Sequence, residues 1–84
     1  MRIISSIATP QDTDFKAEFF NQLEPLKNDR VFFRGRQESC HFHHGYLKDF
    51  GGDTVTFWNG VASVRGSQEW VYPFWEVMIA VKED

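Results

Sequence analysis

The fold is decided by the stretch Gly45-Tyr46-Leu47-Lys48-Asp49-Phe50-Gly51-Gly52-Asp53-Thr54-Val55-Thr56-Phe57-Trp58, which contains two strand patterns separated by a turn. The first strand is predicted over 40–50, where Phe42, Tyr46 and Phe50 share a parity. The second is predicted over 53–58, with Val55 and Phe57 on one face and Trp58 on the other. The Gly-Gly-Asp sequence between them is typical of a turn. We therefore expect an antiparallel hairpin here.

Four further segments show strand patterns, at 30–37, 61–65, 69–72 and 77–81. In the first of them Val31 and Phe33 alternate with more polar positions, as in a half-buried strand. Asn59-Gly60 predicts a tight hairpin turn, because both residues accept positive φ, and 61–65 is then expected to pair back on 53–58. Pro73 interrupts the strand over 69–72, because proline has no N–H to give to a ladder.

An amphipathic helix is predicted over about residues 10–24. Thr9 can cap it, Pro10 suits its first turn, and Pro25 ends it. Its apolar positions recur at four-residue spacing and lie close together on a helical wheel, at Phe15, Phe19 and Leu23. Periodicity leaves residues 2–8 open between a short strand and an ordered lead-in.

These elements predict a single α+β domain over residues 1–84. Its N-terminal helix would precede a strongly bent antiparallel sheet of five to six strands over 30–81, of the small SH3-like barrel type. A chain of 84 residues supports only a small core, so we expect it to self-associate as a homo-oligomer.

Two segments resemble the Sm-like family. Gly45-x-Leu47-x-x-Phe50 followed by 53–57 resembles the first half of the Sm-like motif, and 70–77 is similar to the tail of Hfq-like members, where a strand ending in Val-Tyr leads to a helical turn and a final strand. Arg65-Gly66 resembles the family's Arg-Gly box, an alignment that competes with Val71-Tyr72 for the same strand. The resemblance implies a bent five-stranded sheet, a hexameric or heptameric ring, and RNA as ligand.

Composition and charge exclude several protein classes. The net charge of −3 excludes a wholly basic nucleic-acid coat, and one cysteine excludes an internal disulfide. Apolar runs are too short for a membrane span, so we expect a cytoplasmic protein. No complete catalytic motif is present, which favours a binding module without a cofactor over an enzyme.

The aromatic content of 17% exceeds what a small core needs. Aromatic rings near arginines are typical of protein interfaces. The sequence therefore predicts a partner-binding surface made of Trp58, Trp70, Tyr72, Phe74 and Trp75. In the alternative interpretation the helix covers Trp58 and the other rings are core.

Basic residues concentrate between Arg30 and Lys48, although the whole chain is acidic. Aromatic and cationic side chains on one strand face bind single-stranded nucleic acid by stacking and phosphate contact. The corresponding candidates for RNA binding are Phe32, Arg34, Arg36, Lys48 and Arg65. In the alternative, this is a solvated strand face with arginines paired to carboxylates.

The segment Cys40-His41-Phe42-His43-His44 is the richest in metal-ligand side chains. A zinc site needs three or four converging ligands, and no second cluster of Cys or His occurs in the chain. His41, His43 and His44 are thus weak metal candidates. Cys40 is not expected to act as a nucleophile, because neighbouring residues on a strand point to opposite faces.

Overall fold

The computed structural model describes residues 2–5, 11, 13–37 and 41–81, which form an α+β fold. One α-helix and six strands lie in these ranges: β1 (Arg2–Ser5), α1 (Thr13–Leu23), β2 (Arg30–Gly35), β3 (His43–Gly51), β4 (Thr54–Trp58), β5 (Glu69–Pro73) and β6 (Val77–Val81). Short 3-10 turns follow α1 at Glu24–Leu26 and precede β6 at Phe74–Glu76.

The six strands form one antiparallel sheet in the order β1-β6-β2-β3-β4-β5. The last strand of the chain is therefore central and lies between the first strand and β2. Within the described ranges β1 and β5 have one neighbour each, so the sheet is not closed. The predicted antiparallel α+β class is confirmed, and residues 2–5, which the sequence left open, are a strand.

The sheet is strongly bent. Phe33 on β2 and Trp70 on β5 lie three strand positions apart, which in a flat sheet would separate them by roughly 14 Å. Their ring centroids are instead 5.2 Å apart. Phe33 also stacks on Phe57 of β4 at 4.0 Å, although β3 lies between these strands. The sheet therefore bends toward the face that carries these rings, which we call the inner face.

The inner face is covered by α1. Phe19 and Leu23 are buried there with Phe33, Phe57 and other apolar residues of the sheet. Lys16 pairs with Asp53 at 3.2 Å and so joins α1 to the turn between β3 and β4. Helix α1 ends at Leu23, one residue before the predicted end, but it begins at Thr13 and not near residue 10, because Gln11 is in a turn; Thr9 and Pro10 lie outside the described residues.

Strand β3 contains a register shift between Leu47 and Asp49. Before the shift, Leu47 lies opposite Phe57 and is buried, while Tyr46 faces the other side. After it, Phe50 lies opposite Val55 and packs against the core, with its ring 5.2 Å from that of Phe20. The common face predicted for Tyr46 and Phe50 is therefore wrong, because one extra residue exchanges the two faces.

The hairpin predicted at Asn59-Gly60 is also wrong. Residues 61–65 form no strand, and β4 pairs instead with β5 across the loop 59–68. The side chain of Asn59 accepts a hydrogen bond from Val61 N at 3.0 Å and donates one to the carbonyl oxygen of Gly66 at 2.6 Å. These bonds stabilise a wide loop in place of a two-residue turn.

Candidate nucleic-acid interface

The face of the sheet turned away from α1 carries a set of rings and charges, which we call the outer face. Strand register places most of its members on one side: Arg30, Phe32 and Arg34 of β2, His44, Tyr46 and Asp49 of β3, Trp58 of β4 and Glu69 of β5. Lys48, at the register shift of β3, joins them over the ring of Trp58. All are half-buried or exposed. The outer face is therefore a surface and not a second core.

Two cross-strand pairs of rings lie on the outer face. Phe32 is directly opposite His44, and the two rings stack with centroids 4.5 Å apart and planes 16° apart. Tyr46 is directly opposite Trp58 in the β3–β4 register. Each pair joins a ring of β3 to a ring of a neighbouring strand on the outer face.

Cations lie over or beside these rings. The guanidinium of Arg30 is 5.6 Å from the centre of the Tyr46 ring. Lys48 Nζ is 5.7 Å from the centre of the Trp58 ring. Such distances are those of cation–π contacts, which hold a cation and a ring together at a surface. Rings and positive charges therefore alternate across β2, β3 and β4.

Arg34 extends this pattern toward the start of β3. Its guanidinium is 5.2 Å from the ring of Phe42, which is 37% exposed. Its Nη2 also donates to the sulfur of Met78 on neighbouring β6, at 3.6 Å. Contacts with Phe42 and Met78 thus hold the Arg34 guanidinium at one end of the outer face.

The local charge differs in sign from that of the whole chain. The outer face carries three cations, Arg30, Arg34 and Lys48, against the two carboxylates of Asp49 and Glu69, which gives +3 − 2 = +1. Lys27 pairs with Asp49 at 3.5 Å and offsets its charge. The chain as a whole carries −3. An anionic ligand is therefore attracted to this face in preference to the rest of the surface.

The structure brings three of the five predicted nucleic-acid residues together on the outer face, namely Phe32, Arg34 and Lys48. Arg36 lies beyond the end of β2 and donates Nη1 to the carbonyl oxygen of Trp75 at 3.3 Å. Arg65 lies in the exposed loop 59–68.

Sequence reasoning left Arg30, His44 and Tyr46 out of the nucleic-acid candidates. Arg30 has the parity of Phe32, a signal present in the sequence. His44 and Tyr46 become outer-face residues only through the register of β3 against β2 and β4.

The five rings predicted as a partner-binding surface do not share a face. Trp58 is on the outer face, whereas Trp70 and Tyr72 pack against the core from the inner face. Phe74 is fully buried, so its ring cannot contact a partner. Trp75 is half-buried, with its ring centroid 5.0 Å from that of Phe74.

The histidines do not converge. His43 turns to the inner face, with its ring 5.6 Å from Phe33 and 5.5 Å from Trp70, whereas its neighbour His44 is on the outer face. His41 precedes β3 and is exposed, and Cys40 lies outside the described residues. Among the residues that the structure describes, no three His, Cys, Asp or Glu side chains are grouped as metal ligands would be.

Comparison with protein-family models, with curated proteins and with solved structures gives no match for this chain. In the described ranges, no helix is both long enough and apolar enough to cross a membrane.

Proposed function

We propose that this protein is a non-catalytic binding module that holds single-stranded nucleic acid on the outer face of its sheet. The observation that carries the proposal is the alternation of rings and cations there. Phe32 stacks on His44, Tyr46 lies opposite Trp58, and Arg30 and Lys48 lie over two of these rings.

The chemistry of the outer face suits an unpaired strand. Stacking of a base on an aromatic side chain contributes about 1–3 kcal/mol, and it tolerates any base because each base has a flat face. Arginine and lysine beside the rings supply phosphate contacts. A duplex keeps its bases paired and stacked inward, so the rings have nothing to stack on.

The spacing of the two ring pairs favours an extended strand. His44 and Tyr46 are two residues apart on β3, which separates them by about 7 Å. This is roughly twice the 3.4 Å step of bases along a duplex strand. Neighbouring bases would therefore have to be unstacked from one another to occupy both ring pairs.

The Sm-like resemblance supports the same ligand. The 3-10 turn Phe74–Glu76 lies between β5 and β6, at the position that the resemblance implies for a helical turn before the final strand. We propose that the bent sheet belongs to the SH3-like or Sm-like barrel class and that RNA is the single strand it binds.

The protein-partner interpretation has less support. It requires Trp58, Trp70 and Tyr72 on one surface, and these rings lie on opposite faces of the sheet.

The test is the binding of fluorescently labelled oligouridine and oligoadenine, measured by anisotropy and compared with a duplex of equal length. We expect both single strands to bind, the duplex to bind more weakly, and affinity to fall steeply as salt is raised. Absence of single-strand binding at low salt would contradict the proposal and leave the protein-partner interpretation.

Two charge variants localise the site. Arg30→Gln removes an exposed outer-face cation, and we expect it to weaken binding several-fold and to reduce the slope of log K against log salt by about 0.7. Lys16→Gln removes a cation of α1, the helix on the inner face, where it pairs with Asp53, and it is the control. Equal effects of the two variants would mean that net charge alone attracts the strand.

A further inference from the structure

Lys48 and Glu69 form an ion pair on the outer face. Glu69 lies directly opposite Trp58 in the β4–β5 register. Lys48 occupies the register shift of β3, and its Nζ lies 5.7 Å from the centre of the Trp58 ring. The ammonium group thus spans the outer face above Trp58, from β3 to the carboxylate on β5.

This arrangement obstructs the site in the free protein. A base that stacks on Trp58 needs the space that the Lys48 ammonium occupies. Glu69 also presents a negative charge where an anionic strand has to pass. The two side chains are 47% and 44% exposed, and ion pairs this exposed contribute little to stability, so exchange of one partner for another is easy.

We propose that Glu69 competes internally with the phosphate groups of the ligand. It holds Lys48 over Trp58 until a strand binds, and a ligand phosphate then replaces the Glu69 carboxylate as the partner of Lys48. The Trp58 ring is exposed to a base in the same movement. This inference rests on the proposed function. In it, Glu69 sets the affinity of the outer face for single-stranded nucleic acid.

If Glu69 competes with phosphate, removal of its carboxylate should raise the affinity for a single strand. Glu69→Gln keeps the size of the side chain and frees Lys48, so we expect it to tighten binding to labelled oligouridine about three- to fivefold at low salt. The slope of log K against log salt should stay nearly unchanged, since Lys48 contacts a phosphate in both complexes and only the competing carboxylate is lost.

Glu18→Gln is the matched control, because it changes the net charge equally from an exposed position on α1, the helix that covers the inner face. It should change affinity by less than twofold. The double variant Lys48→Gln/Glu69→Gln should show no gain over Lys48→Gln alone, because the competition acts through Lys48. Thermal unfolding of each variant checks that the fold is intact.

The outcomes separate the two proposals. If the wild-type protein binds oligouridine and Glu69→Gln binds equally or more weakly, the competition is wrong and the nucleic-acid function stands. If Glu69→Gln tightens binding no more than Glu18→Gln does, only general repulsion operates and the inference fails. If neither wild type nor Glu69→Gln binds any single strand, the proposed function fails and the inference fails with it.

Discussion

At the scale of single residues, Gly45 is the position where the bend of the sheet depends on one missing side chain. Gly45 is buried in β3, and the rings of Phe33 and Phe57 meet from the strands on either side of it. A Cβ atom there would lie 2.5 Å from the carbonyl oxygen of Trp58 and 3.3 Å from the Phe33 ring. The carbonyl belongs to the backbone of a paired strand, so it cannot turn aside as a side chain would.

We therefore expect Gly45→Ala to lower the free energy of unfolding by about 1–3 kcal/mol, the cost of overpacking a well-filled interior. Urea denaturation followed by circular dichroism measures this value. Gly51→Ala, in the same strand, is the control, since a Cβ atom at Gly51 meets nothing within 4 Å. Its effect should stay within about 0.5 kcal/mol. A similar loss for both variants would contradict the packing argument.

At the scale of elements, α1 supplies the cover that the inner face of the sheet requires. Phe19 is 1% exposed and lies in the core cluster with residues of the sheet. We expect Phe19→Ala to destabilise the protein by about 3–5 kcal/mol, because it removes a large ring from a packed interior. A domain of this size has a total stability of about 5–15 kcal/mol, so a shift of this size is readily measured by denaturation.

Glu18→Ala tests the same helix from its exposed side. It should leave the unfolding midpoint nearly unchanged, because surface positions usually contribute within about 0.5 kcal/mol. If Phe19→Ala were as mild as Glu18→Ala, the helix would not be packed on the sheet as the structure has it.

The elements that sequence reasoning predicted are those with a local pattern. Alternation at Val31 and Phe33 and at Val55 and Phe57 identified two strands, because burial of one sheet face imposes a period of two. The shift in β3 escaped notice, since one inserted residue leaves no mark in composition. The loop 59–68 was not predicted either. Asn59-Gly60 has the same sequence whether it forms a tight turn or whether the Asn59 side chain bonds to Gly66, seven residues later.

The candidate site was predictable to the same extent. The cations near Phe32 were visible in the sequence, whereas the pairing of His44 with Phe32 and of Trp58 with Tyr46 follows from strand register. Register depends on contacts between distant segments, and in β3 it also depends on the bulge. The sequence therefore predicted one partner-binding surface, whereas the sheet places Trp58 on its outer face and Trp70 and Tyr72 on its inner face.

At the scale of the whole molecule, the open sheet leaves two edges for self-association. Strands β1 and β5 lie at the ends of the sheet, and each exposes one apolar side chain: Ile3 is 54% and Val71 60% exposed. Unpaired N–H and C=O groups on such strands can pair with another chain. Because the two edges differ, contact between β1 of one copy and β5 of the next is head-to-tail, and such contacts form a ring when the rotation between copies closes.

We propose that copies of this chain assemble through these edges, into the hexameric or heptameric ring that the Sm-like resemblance implies. Light scattering after gel filtration measures the assembly directly. Val71→Lys places a charge on the β5 edge, and we expect it to shift the protein toward monomers, since edge lysines oppose strand addition. Val64→Lys adds the same charge at a loop residue that is 96% exposed, and it should leave the assembly intact. A wild-type protein that stays monomeric at every concentration would refute edge pairing, and equal dissociation of both variants would point to repulsion by net charge instead.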